Sequence, residues 1–173
     1  LSGGQQAQVA LAVALGKRPE LVVLDEPVAN LDPLARREFL QVLMAEVAES
    51  GLSVVLSSHL IADLERVCDY LILLSAGRVQ LVGDTEELVA AHRMFVGARE
   101  RADSLARVHT VVHGSYTDRQ ATMLVRLNGR SFQDASWTVR PITLEELVLG
   151  YMSGSPPDVA PPRLSCVSES PSA

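Results

Sequence analysis

The sequence predicts an α/β chain built on a parallel sheet, and three observations carry that expectation. A short apolar run, Leu21–Leu24, and a second β-rich run, Ser53–Ser57, hold the β-branched pairs Val22-Val23 and Val54-Val55. Between them lies a segment whose apolar residues return at helical spacing, so the three together read as a strand, helix, strand unit. A glycine pair, Gly3-Gly4, opens a further helix-forming run upstream of the first strand.

That first run is expected to be helical from Gln5 to Leu15 and to stop around Gly16 and Pro19, where the signals are those of a helix end. The wholly apolar Leu21–Leu24 then suits a strand buried on both faces of a parallel sheet. Asp25, Glu26 and Pro27 follow at its carboxyl end, the edge where open α/β sheets carry their active groups. Asp32 and Pro33 read as the N-cap and first residue of a second helix. Its apolar positions Phe39, Leu40, Leu43, Met44 and Val47 recur until Gly51. Ser53–Ser57 is the next strand, ending at Ser58 and His59. A right-handed crossover brings both carboxyl ends to one edge of the sheet, so Glu26 and His59 can share a site.

Beyond His59 the pattern predicts a helix over Ile61–Val67 and a hairpin of Tyr70–Leu74 with Arg78–Val82 around Ala76-Gly77. Asp84 with Glu87 makes a capping-box start to a short helix ending near His92. Leu105–Val112 and Met123–Leu127 read as strands, and Thr143 with Glu146 starts a helix through Met152. From Ser153 to Ala173 the composition changes: five of the chain's nine prolines fall there, with many serines and few large apolar residues. Such a segment cannot bury a core, and disorder is expected. The organisation read from the sequence is thus 1–92, a small appended region 93–152, and a tail 153–173.

Composition narrows the function classes. With 15 basic and 21 acidic residues among 173, the net charge is −6, and no basic cluster marks nucleic acid as the main partner. No apolar stretch approaches the roughly 18 to 20 residues of a membrane span, and no signal peptide is recognisable. Cys68 and Cys166 fit no disulfide framework and read as reduced thiols. His109 and His113 lie four apart on a β-prone run without acidic or cysteine companions, which argues against a metal.

The chain opens on LSGGQ, Leu1 to Gln5. Gly3 and Gly4 leave the backbone unobstructed, and the helix that follows turns free N–H groups and its positive dipole end toward an anion. Ser2 adds a hydroxyl donor. This pentapeptide, the apolar strand ending in Asp25-Glu26, the ANLD stretch from Ala29 to Asp32, and His59 resemble, in that order, the signature, Walker B, D-loop and switch histidine of an ATP-binding-cassette (ABC) nucleotide-binding domain. The resemblance covers Leu1 to about His92.

It implies a P-loop NTPase-like fold that hydrolyses ATP with Mg²⁺ between two head-to-tail domains. By the same resemblance Asp25 helps to hold Mg²⁺ through its water shell, Glu26 polarises the attacking water, and His59 contacts the γ-phosphate. Ser2, Gly3, Gly4, Gln5 and Asp32 complete a nucleotide site across the dimer. The implied partners are a second ATP-binding subunit, identical or different, and a separate transmembrane permease, with no direct nucleic-acid contact. The implied location is the cytoplasm, peripheral to the inner face of the cell membrane.

Those roles agree with the chemistry, since phosphoryl transfer needs a carboxylate on the metal, a second near water, and a donor at the transferred phosphate. The DEPVANLDP string and ITLEELVLGYM are similar to bacterial exporter-type ATPases. Departures are Gln6, Ala7 and Gln8 where relatives carry basic residues, Val13 in place of a common arginine, and Val28-Ala29 ahead of the D-loop. No GxxxxGK[ST] phosphate loop occurs in the sequence. In this family that loop lies upstream of the signature, so the chain is expected to be the back part of a larger protein and inactive alone. The competing readings are a soluble ABC ATPase acting on ribosomes or DNA, and a non-catalytic gene fragment.

Overall fold

A computed structural model describes residues 3–129, 132 and 134–153, and the described chain falls into two compact units that divide after Val67. The first contains helix α1 (Gly3–Leu15), strand β1 (Leu21–Asp25), helix α2 (Pro33–Ser50), strand β2 (Ser53–Ser57) and the short helix α3 (Ile61–Leu64). Strands β1 and β2 pair in parallel and in register, from Leu21 opposite Ser53 to Asp25 opposite Ser57. Their carboxyl ends therefore finish level.

Local chemistry sets the crossover between them. Asp32 Oδ1 accepts from the N–H groups of Leu34 and Ala35, both at 3.0 Å. These are two of the donors that every helix leaves free at its start. At the other end Gly51 adopts φ 71° and gives its N–H to Val47 O, a left-handed stop that glycine reaches without steric cost. Leu11, Val28, Leu31, Phe39, Leu40 and Leu43 form the core, with Leu24, Val54 and Leu56 packed against it.

The sheet differs from expectation in one respect. Val22 is buried and Leu24 half-buried, but Leu21, Val23 and Val55 are more than half exposed, so within this unit β1 is covered on one face. Helices α1 and α2 pack against each other, and both contribute to the core on that one side. Helix α3 also ends at Leu64, short of the expected Val67, with Leu60 at its N-cap giving no side-chain bond.

The second unit starts with the predicted hairpin, β3 (Tyr70–Ser75) and β4 (Arg78–Asp84). Its two turn residues, Ala76 at φ 49° and Gly77 at φ 71°, have the left-handed pair of angles that matches strand twist. Helix α4 (Thr85–Ala90) is capped by Asp84 Oδ1, which accepts from Glu87 N–H at 2.9 Å. Then come β5 (His92–Ala98), a 3₁₀ turn, α5 (Ala102–Val108), β6 (Thr110–Tyr116), β7 (Gln120–Arg126), β8 (Trp137–Arg140) and α6 (Leu144–Ser153). The last four strands form one antiparallel sheet in the order β6-β7-β5-β8.

Three readings change here. Leu105–Val108 belongs to helix α5 rather than to a strand: Ala102 and Leu105 are buried one helical turn apart in the cluster with Phe95 and Trp137, and β structure begins only at Thr110. Strands β5 and β8 were unanticipated, because Arg93 and Gly97 interrupt the alternation of β5 and β8 is only four residues long. The hairpin and α4, assigned by sequence to 1–92, group with the second unit, where Leu127 N–H donates to Ala91 O. The start of α6 is as expected, with Thr143 Oγ accepting from Glu146 N–H and Thr143 N–H donating to Glu146 Oε2. Ser153, read as the first tail residue, closes α6; 154–173 lie outside the described residues.

One buried histidine ties this unit together. His92 is fully buried, with Nδ1–H donating to Leu88 O at 2.6 Å and Nε2 accepting from the Tyr151 hydroxyl at 3.0 Å. Desolvation pushes its pKa below 6.5, with Arg126 adding to the effect and the Leu88 carbonyl opposing it. The unfolded chain therefore takes up a proton near pH 6.5 that the folded chain resists. Stability from this group is fully present above that pH and is lost as pH falls toward the folded value. We expect the unfolding midpoint, followed by fluorescence of buried Trp137 in the same unit, to drop between pH 7 and 5.5. His92→Gln should lower the midpoint overall but flatten that dependence, and an unchanged slope in the variant would refute the account.

Candidate functional site

The level ends of β1 and β2 decide the geometry of the site. Asp25 is the last residue of β1, and directly after it Glu26 adopts φ 46°, a left-handed conformation that costs a residue with a Cβ about 1 to 2 kcal/mol. The chain turns sharply there instead of continuing as strand. Ser57, opposite Asp25 in the register, holds the turn: its Oγ accepts from Glu26 N–H at 2.8 Å and donates to Asp25 Oδ1 at 2.6 Å. Two bonds of this kind, one of them to a carboxylate, contribute on the order of the strain they offset.

His59, two residues beyond β2, meets Glu26 directly. The distance from its Nδ1 to Glu26 Oε2 is 2.8 Å. The carboxylate can only accept, so Nδ1 carries a hydrogen, and Nε2 faces other groups as an acceptor in the neutral ring and as a donor in the imidazolium. Both side chains reach solvent, His59 at 65% exposure and Glu26 at 37%. Asp25, Glu26 and His59 are therefore gathered at one edge, as the crossover argument requires. Ser57 was missed by the sequence reading. Its only signal is a hydroxyl residue at the register position opposite Asp25, which is invisible until the strands are aligned.

The loop between β1 and α2 is anchored from below. Val28 and Leu31 are buried, and Ala29 N–H and Leu31 N–H donate to Glu26 O and Val28 O, each at 3.2 Å. Arg36 on α2 donates from Nη2 to Leu31 O at 3.2 Å and lies 3.3 Å from Asp63 Oδ2 through Nη1. This links the loop to the helix that follows His59. Asp32, expected as a nucleotide contact, has Oδ1 committed to capping α2.

Of the signature residues, Ser2 lies outside the described residues. Gly3, Gly4 and Gln5 form the first turn of α1, which starts two residues earlier than expected, with no acidic side chain in that turn. A Cβ on Gly3 would meet Asn30 O at 3.6 Å. The start of α1 and the loop before α2 are thus neighbours.

This donor set fits one hard cation held loosely. Among the described residues no group of three His, Cys, Asp or Glu side chains could enclose a metal. Mg²⁺ keeps several waters and takes one or two carboxylates besides phosphate oxygens, and exposed Asp25 can supply such a carboxylate. Glu26 and His59 could orient a water and offer a hydrogen bond to an anion.

Comparison with known proteins returns ATP-binding relatives. Residues 1–62 match the family model described as "AAA domain, putative AbiEii toxin, Type IV TA system". The chain is 44% identical over 90 residues to the energy-coupling factor transporter ATP-binding protein EcfA2 of Symbiobacterium thermophilum, covering 52% of this chain and 31% of that one. EcfA2 of Lactococcus lactis subsp. cremoris is 36% identical over 138 residues, covering 76% and 48%. The molybdenum import ATP-binding protein ModC of Mycobacterium tuberculosis is 38% identical over 99 residues, covering 57% and 27%. The chain spans less than half the length of each of these relatives. None of these names specifies an exporter, and the ModC name specifies import. A solved structure, an inward-facing putative metal-chelate type ABC transporter, aligns over 73% of this chain and 48% of its own. Its TM-score is 0.49 and its identity 23%, a likeness that carries no argument of its own.

Proposed function

The chain belongs to the ATP-binding-cassette ATPases, and from that premise we propose that the full-length protein is the ATP-hydrolysing subunit of a transporter, working through a separate membrane permease. The observation that carries this reading is the Asp25, Glu26, His59 constellation at the ends of two paired parallel strands. Mg²⁺, when bound with ATP, supplies charge neutralisation at the phosphates. Asp25 presents a carboxylate to its water shell. Glu26, held at 2.8 Å by His59 Nδ1, is placed to orient and accept a proton from the attacking water. In the imidazolium form His59 would offer its Nε2–H to the transferred phosphate.

Ser2, Gly3, Gly4 and Gln5 offer a hydroxyl and helix-start N–H groups to a nucleotide held by a second subunit, identical or different. No helix among the described residues is long and apolar enough to cross a membrane. In the proposed reading the permease provides the membrane link and the ATPase works at the cytoplasmic face.

The head-to-tail arrangement has a direct test. A nucleotide bound between two subunits glues them together until it is hydrolysed, so full-length Glu26→Gln should pass from monomer to dimer as Mg-ATP is titrated, followed by light scattering. A protein that remains monomeric at saturating Mg-ATP sinks the between-subunit site.

A further inference from the structure

We propose that Ser57 is a positioning residue for the Asp25-Glu26 pair, acting as a hydroxyl crosspiece between the two strand ends. The proposal rests on the reading of those carboxylates given above. A serine hydroxyl carries one hydrogen and can both donate and accept. Here the directions are fixed by the partners: Glu26 N–H can only donate, so Oγ accepts it at 2.8 Å, and the Asp25 carboxylate can only accept, so the hydroxyl hydrogen goes to Oδ1 at 2.6 Å.

Each bond does separate work. Donation to Oδ1 selects one Asp25 rotamer and leaves the second oxygen uncommitted by Ser57. Acceptance from Glu26 N–H replaces a strand-ladder acceptor at the point where β1 stops, and it holds Glu26 at φ 46°. In that conformation the Glu26 side chain meets His59 Nδ1 at 2.8 Å. Nothing about core packing asks for serine here, since Ser57 is exposed and a β-branched apolar residue suits a strand end equally well. Ser58 has other employment, its Oγ accepting from Leu60 N–H.

The test compares Ser57→Ala and Ser57→Thr in the full-length protein, with Thr retaining the hydroxyl. In the nucleotide-free protein, amide exchange at Glu26 should quicken at least about tenfold in Ser57→Ala and stay near the parent rate in Ser57→Thr. The Mg²⁺ concentration for half-maximal turnover should rise severalfold in Ser57→Ala, with kcat reduced and the KM for ATP little changed. Ser57→Thr should restore both. Unchanged exchange at Glu26 in Ser57→Ala overturns the crosspiece whatever happens to turnover, and so does a Thr variant that behaves like Ala. Altered exchange with parental Mg²⁺ dependence overturns its role in presenting Asp25. If the parent protein hydrolyses no ATP, the functional reading fails, and the exchange measurement still decides whether Ser57 holds the turn.

Discussion

Glu26→Gln is expected to reduce ATP turnover of the full-length protein by roughly 10² to 10⁴-fold while nucleotide binding persists, the usual cost of losing a positioned acid–base group. The substitution keeps the side chain's length and an oxygen to accept from His59 Nδ1, so the 2.8 Å contact and the Ser57 bond to the backbone N–H can survive. What disappears is the negative charge that takes a proton from water. The loss should therefore fall on kcat, with little change in the KM for ATP. Single-turnover phosphate release together with a nucleotide-binding titration separates the two. A variant keeping more than half of parental kcat removes Glu26 from the chemistry.

His59→Ala is expected to cost roughly 10²-fold or more, comparable to removing one preorganised donor to a developing charge. Two contributions combine in this variant. The donor meant for the transferred phosphate is lost, and Glu26 Oε2 loses its 2.8 Å partner, so the carboxylate can swing away from the water it should hold. A double-mutant cycle with Glu26→Gln distinguishes them, because residues acting as a unit are strongly non-additive. Parental turnover in His59→Ala would show that the imidazole serves only to steady the strand end. His92→Ala offers a useful contrast: its side chain is buried in the second unit against Leu88 and Tyr151, so its effect should appear in stability.

Much of the fold could be read from neighbouring residues because the signals are local. The Asp32-Pro33 start, the Gly51 stop, the Asp84 and Thr143-Glu146 caps, and the Ala76-Gly77 turn all depend on bonds spanning a few positions. The failures share a cause as well. Ala102–Val108 carries a weak helical pattern whose burial comes from Phe95 and Trp137, and β5 and β8 are strands because β7 and β5 supply their ladders.

The sequence by itself determined the order of motifs, the two parallel strand ends, and the gathering of Asp25, Glu26 and His59 at one edge. Hydrophobic periodicity and the crossover rule are sufficient for that much. Tertiary structure alone decided that β1 is covered on one face within its unit and that Ser57 joins Asp25 to Glu26. The three bonds that shape the site connect residues 31, 32 and 33 positions apart. No local pattern encodes which hydroxyl will stand opposite which carboxylate; that follows from strand register, and register is fixed only when the apolar faces of β1 and β2 pack together onto the core beneath them.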